Sequence, residues 1–147
     1  PITFSNAGSA GVTYSYSGDG NFLPVLSNTT ITVARANTSL SGSFLPTQPR
    51  VGEPVTISAN LAVVAPGAGT PGGNIVVTAG GGLSGSCTMT LPSTTCTISF
   101  NGAGTGVLNL AYVGDARFNP SSSTPIPISV VPINAPTSTT ISAVTPS

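Results

Sequence analysis

The sequence predicts an all-β protein: an antiparallel β-sandwich that recurs along the chain. Three observations carry this. Apolar and polar residues alternate strand by strand, Gly-, Pro- and Asn-rich turns separate the alternating runs, and the opening of the chain returns near its end. No window shows a helical period. Low charge and 18 Gly with 14 Pro would also suit a disordered chain, but such chains are poor in the β-branched and aliphatic residues that alternate here.

The strands follow in order. Val12, Tyr14 and Tyr16 are predicted to face inward, and Ile31-Thr32-Val33 belongs to the next strand. Val55, Ile57, Ala59, Leu61 and Val63 share one face, with Thr56, Ser58 and Asn60 opposite. After the turn-rich PGAGTPGG, Ile75 and Val77 form a short strand. Leu83 to Leu91 and Thr95 to Phe100 flank the turn PSTT. Leu108, Leu110 and Tyr112 face inward. Pro125 and Pro127 place the final strand at a sheet edge, because proline has no N–H to give a central ladder.

When the sequence is slid along itself by 96 residues, Ile2 falls on Ile98, Phe4 on Phe100, and Tyr16, Gly18, Asp19, Phe22, Pro24 and Ser27 on Tyr112, Gly114, Asp115, Phe118, Pro120 and Ser123. One residue later in the second copy, Ile31-Thr32-Val33 matches Ile128-Ser129-Val130. Thr38-Ser39-Leu40-Ser41 resembles Thr139-Thr140-Ile141-Ser142. The chain therefore divides into the last strands of one repeat (1–35), a complete repeat (36–132) and the first strand of a third (133–147), with linkers at Ala34 to Asn37 and Pro132 to Pro136. Beginning at Pro1 and not at Met, it reads as an internal portion of something longer.

Composition narrows the function. Charged residues are 4% of the chain, against about 25% in ordinary soluble domains, and the net charge is zero. Arg35, Arg50 and Arg117 cannot neutralise a phosphate backbone or hold an anionic membrane, so nucleic-acid binding is excluded. No run approaches the roughly 18 continuous apolar residues of a membrane span. A surface of Ser, Thr, Asn and Gly lacks the repulsion that keeps freely diffusing molecules apart, which suits a tethered or assembled protein.

The residues resemble those of a known family, the bacterial immunoglobulin-like (Ig-like) repeats of large surface and adhesin-type proteins. The resemblance rests on QPRVGEPVTISANL, GTPGGNIVV, GSCTMTLPSTTCTISF and the closing YVGDARFNPSSS, with the YxGDxxF phrase the most specific. It implies an Ig-like sandwich repeated in tandem as stalks or fibres, without enzymatic activity. PIPISV departs from the unbroken alternation of the family's last strand.

Cys87 and Cys96 lie in strands on either side of a tight turn, which points to a cross-strand disulfide pinning one hairpin in an oxidising exterior; two free buried thiols are the alternative. With no His and no second Cys pair, a metal site has no ligand set. Without His or Lys the serines have no conventional activating base, and Asp19 and Asp115, one repeat apart, make no carboxylate dyad. Glu53 sits in the RVGEP turn with Arg50 as its neighbour. A single carboxylate per repeat is a meagre supply for calcium. Asn28-Thr29-Thr30 and Asn37-Thr38-Ser39 match the N-glycosylation pattern, as chance matches do in so Asn- and Thr-rich a chain.

Tyr16, Gly18, Asp19 and Phe22, and again Tyr112, Gly114, Asp115 and Phe118, read as a structural turn used twice. Gly supplies a backbone conformation other residues resist, Asp accepts N–H groups two residues on, and Phe plugs the end of the sandwich. The Tyr is similar in place to the tyrosine corner of Ig folds. The expected function is structural: a module of an extracellular or surface-bound bacterial stalk or filament, needing no cofactor, whose partners are neighbouring Ig-like repeats of the same or identical chains. An adhesin module recognising a glycan or host protein through VVAPGAGTPGG and GGGLSGS is the alternative, and an accessory domain of a secreted hydrolase is a third.

Overall fold

The computed structural model describes Ile2 and residues 4–134. Beyond Asn134, the strand expected for a third repeat lies outside the described residues. Among the described residues all regular structure is strand, and no helix is long and apolar enough to cross a membrane.

The strands are β1 Gly8–Tyr16, β2 Val25–Val33, β3 Thr38–Leu45, β4 Pro54–Val63, β5 Asn74–Gly80, β6 Gly85–Thr90, β7 Thr95–Ser99, β8 Gly104–Tyr112, β9 Ser121–Ser122 and β10 Ile126–Val130. One sheet has the order β10-β8-β5-β6, with β9 also on β8, and a second has the order β3-β4-β7. Every pairing within them is antiparallel.

Alternation decides which side of each strand is buried. Val55 and Ile57 of β4 and Ile98 of β7 meet Ile75 and Val77 of β5, Met89 of β6, and Leu108, Leu110 and Tyr112 of β8 in one core. Burying such a side chain contributes about 1.5–3 kcal/mol, so this layer between the sheets is what makes the sandwich stable. Ala59, Leu61 and Val63, predicted on the inward face of β4, are partly buried against the same core. Phe100 and Phe118, just outside β7 and β8, are each only 1% exposed.

β10 is an outermost strand, where Pro127 opposes Val107 without interrupting a central ladder. Tyr112 faces Ser121 and Ala111 faces Ser122, but Leu108 faces Ile126, so the partner strand holds one extra residue near Pro125. Such an insertion bends a strand and breaks its pairing, which accounts for the separation of β9 from β10.

Two strand bounds need correction. β5 is longer than Ile75–Val77, extending to Gly80, because its ladder with β8 continues to Gly80↔Val107. The strand expected over Leu83–Leu91 begins only at Gly85, with Leu83 buried in the preceding turn.

β1 and β2 form a separate two-stranded sheet, paired from Gly8↔Val33 to Tyr16↔Val25 without a bulge. Val12 is half-buried, but Tyr14 and Tyr16, predicted inward, are 58% and 42% exposed. Their strands form as expected, but no second sheet covers them among the described residues.

The segment between β2 and β3 is bound into the sandwich. Ala36 N–H donates to the Arg117 carbonyl at 2.9 Å, and Asn119 N–H donates to the Ala36 carbonyl at 2.9 Å. Asn119 Nδ2 reaches Asn37 Oδ1 at 2.9 Å, and Thr38 Oγ1 lies 2.7 Å from Ser121 Oγ. At the opposite end Val51 N–H donates to the Val131 carbonyl at 3.0 Å and Val131 N–H to the Pro49 carbonyl at 2.9 Å.

Candidate functional site

The repeated GD phrase forms the turn after β8 and, with the same geometry, the turn after β1. In the second, Asp115 Oδ1 accepts the N–H groups of Arg117 at 2.7 Å and Phe118 at 2.8 Å, while Asp115 N–H donates to the Phe118 carbonyl at 3.0 Å. In the first, Asp19 Oδ1 accepts Asn21 N–H at 2.8 Å and Phe22 N–H at 2.9 Å, and Asp19 N–H donates to the Phe22 carbonyl at 2.9 Å. The carboxylate thus substitutes for backbone acceptors where the chain reverses.

Glycine is required beside each Asp. Gly18 and Gly114 both have φ +80°, which side chains resist. A Cβ on Gly114 would also stand 3.0 Å from the Phe118 carbonyl oxygen and the Pro120 nitrogen. Phe118 is then turned into the end of the core, whereas Phe22 is 68% exposed. The expectation that Phe22 plugs a sandwich end is corrected accordingly: its turn is made, but no core lies beneath it among the described residues.

The two turns differ in the second carboxylate oxygen. Asp115 Oδ2 accepts Gly72 N–H at 2.8 Å from the loop between β4 and β5, and Asp19 Oδ2 accepts the Tyr16 hydroxyl at 2.8 Å. These donors stabilise the ionised form. The Gly72 N–H foremost, with those of Arg117 and Phe118, lowers the pKa of Asp115. Asn21 N–H and then the Tyr16 hydroxyl lower that of Asp19, and Tyr16 is raised in return.

Tyr112 is 1% exposed and its hydroxyl has no hydrogen-bond partner among the described residues. Asp115 lies near enough to act on it, but no aligned bond forms; the oxygen that corresponds to the one Tyr16 reaches in the first turn accepts Gly72 N–H in the second. Burial first, and the Asp115 charge next, raise the Tyr112 pKa.

Cys87 and Cys96 are joined in a disulfide with Cα atoms 6.1 Å apart. It does not pin a hairpin. β6 pairs with β5 and β7 with β4, so the bond links the outer strand of one sheet to the outer strand of the other. Cys87 and Met89 share the inner side of β6, as Cys96 and Ile98 share that of β7, so the two sulfurs meet across the core.

Glu53 takes the backbone N–H of Arg50 at 2.9 Å and its own N–H donates to the Arg50 carbonyl at 3.0 Å, which closes the RVGEP turn. Asn28 Oδ1 accepts the Thr13 hydroxyl across β1 and β2 at 2.8 Å, and Asn37 is held by Asn119. Among the described residues no three Asp, Glu, Cys or His side chains stand close enough to share a metal ion. The carboxylates at the turns accept the chain's own N–H groups and, at Asp19, the Tyr16 hydroxyl, an arrangement that fixes loops.

A sequence profile of the bacterial Ig-like domain (group 3) matches residues 43–131, from within β3 to the end of β10. The chain belongs to this family. No curated protein and no solved structure matches it. The Ig-like domains of this group are in general non-catalytic surface-protein modules, and the matched residues hold the Asp115 turn, both cysteines and every strand of the two facing sheets except the first residues of β3. Two contributors to the Ig-like site escaped the sequence reading, Gly72 and Asn119. Gly72 acts through a backbone N–H, which any residue carries, so nothing in its identity signals the role. Asn119 sits inside the repeated phrase, but its counterpart in the first copy is Leu23, so the repeat itself hid it.

Proposed function

We propose that this chain is a structural, non-catalytic part of an extracellular bacterial stalk or filament built from tandem Ig-like modules. Residues 1–35 are the closing strands of one module, 36–132 a complete module, and 133–147 the opening of a third. The observation that carries this reading is the correspondence of β1 to β8. Gly8–Tyr16 and Gly104–Tyr112 have the same bounds under the 96-residue offset, and Tyr16↔Val25 and Ser15↔Leu26 repeat the pairing of Tyr112↔Ser121 and Ala111↔Ser122.

Other features support it. The disulfide suits an oxidising exterior. The bonds from Ala36, Asn37 and Thr38 to residues 117–121 and to Val64 fasten the incoming chain to its module, as a load-bearing joint requires. The loop that a ligand-binding adhesin would use is engaged internally: Gly72 holds Asp115, and a Cβ on Gly67 would stand 2.6 Å from that of Ala36. These contacts favour the structural reading over the adhesin one.

Limited proteolysis of the natural full-length protein tests it. Cleavage at the joints gives a ladder of bands spaced by one module, about the size of a single sandwich domain. A single resistant fragment without a ladder refutes the tandem array.

A further inference from the structure

The β1–β2 sheet has one polar face and one apolar face, and the apolar face is uncovered. Tyr14, Tyr16 and Val25 are 58%, 42% and 62% exposed, whereas Leu110 and Tyr112, the β8 residues that correspond to the tyrosines, are each 1% exposed. β8 also carries β5 along its second edge, with Ile75↔Tyr112 and Val77↔Leu110, while the matching edge of β1 is unpaired among the described residues. An open edge beside an apolar face is a template for strand addition.

The complete module shows which strands fit such a template, and also that its own strands do not fit this one. Gly106 of β8 is replaced in β1 by Ala10. A Cβ at Gly106 would run into the Gly80 carbonyl oxygen and approach Leu83 Cβ and Cδ1 to 3.1 Å. Leu110 is replaced by Tyr14, at a place where Leu110 Cδ2 already lies 2.5 Å from the position a Cβ on Gly42 would take. A methyl group at Gly106 would meet the Gly80 backbone, a phenol ring in place of the buried Leu110 adds volume against Gly42, and packed cores do not yield to added volume without strain. Asp19 Oδ2 meets the Tyr16 hydroxyl where Asp115 Oδ2 meets a loop N–H, and a carboxylate oxygen has lone pairs for both.

We infer that the apolar face and open edge of β1–β2 dock the early strands of a different Ig-like repeat, and that they reject the β3–β7 strands of residues 36–103. The occupant presents a β5-like strand to β1, leaves space opposite Ala10 and Tyr14, and brings a backbone N–H to Asp19 Oδ2. This rests on the tandem-module reading and adds selectivity to it: two copies of this chain do not complete each other by exchanging strands.

Sedimentation of the full chain over a wide concentration range is expected to show a monomer; a strand-exchanged dimer overturns the selectivity. The second measurement joins residues 36–103 directly ahead of residues 8–147, so that the added copy meets β1 in the connectivity by which β7 leads to β8. This chimera is expected to melt with the single cooperative transition of the parent, and its β1 amides to exchange as fast. With Ala10→Gly and Tyr14→Leu it is expected to gain a second transition and slow exchange along β1. A second transition without the substitutions overturns the selectivity. None with them overturns the docking surface. The array itself stands or falls separately, on the proteolytic ladder of the natural protein.

Discussion

Gly72 donates its backbone N–H to Asp115 Oδ2 at 2.8 Å, tying the loop between β4 and β5 to the turn that follows β8. These residues stand far apart in sequence, and the bond is the link between the two loops at the end of the sandwich where the chain enters from β2. Because the same carboxylate orders the turn through Arg117 and Phe118, one side chain fixes both loops and seats Phe118 against the core.

Asp115→Ala removes the acceptor for three N–H groups. A hydrogen bond to a charged group contributes about 1.5–3 kcal/mol when buried, but solvent reaches this turn, so the expected loss is about 1–2 kcal/mol in all. Denaturant unfolding measures it as a lower midpoint with unchanged slope. Asp115→Asn retains one acceptor oxygen and is expected to lose less.

The carboxylate also sets a pH dependence. Its folded pKa lies below the ordinary Asp value, so the unfolded state binds the proton more readily. The stability it contributes is complete above the unfolded pKa of about 3.9 and is lost as pH falls through the lower, folded value. Thermal melting between neutral pH and pH 2 is expected to show this acid limb, and Asp115→Asn to flatten it. An unchanged limb would mean that Asp19, whose pKa is also lowered, carries the effect instead.

Much of this fold was legible in the sequence because strand alternation is a local property. The inward faces of β4 and β8 follow from Val55, Ile57, Leu108, Leu110 and Tyr112 alone, and Pro127 placed β10 at an edge. The partner of each strand was not local. Cys87 and Cys96 flank one turn and so suggested a hairpin, yet β6 and β7 separate onto opposite sheets, β6 pairing with β5 and β7 with β4. Exposure of Tyr14 and Tyr16 was equally out of reach, since a strand's pattern shows which face is apolar and not what covers it. Gly72 was invisible for a third reason: it contributes only backbone.

Tyr112→Phe is expected to be neutral or slightly stabilising. The hydroxyl is buried without a partner among the described residues, so its removal relieves a desolvation cost and leaves the ring's packing intact. Equilibrium unfolding measures this directly. A clear loss of stability would show that the hydroxyl reaches Asp115 in solution. Amide exchange of Gly72 adds a second readout: if the loop and not the phenol holds Asp115, its protection is unchanged in Tyr112→Phe and lost in Asp115→Ala.

Removing the disulfide tests its placement as well as its strength. The sulfurs close a short loop, with a sequence separation of 9, and the chain-entropy estimate for such a loop is roughly 2–3 kcal/mol. Cys87→Ala with Cys96→Ala is therefore expected to lower stability by about that amount, with a small further loss from the thinner core. Location distinguishes a sheet-to-sheet link from a hairpin pin. Because β6 and β7 have no ladder between them and each is the outer strand of its sheet, the link's loss is expected to open that side of the sandwich. Amide exchange then rises along β6 and β7 and into Met89 and Ile98, while the Ala36–Phe118 side, held by its own hydrogen bonds, keeps its protection. Exchange that rises evenly across both sides would mean that the bond acts only on the unfolded chain and does not brace the open edge.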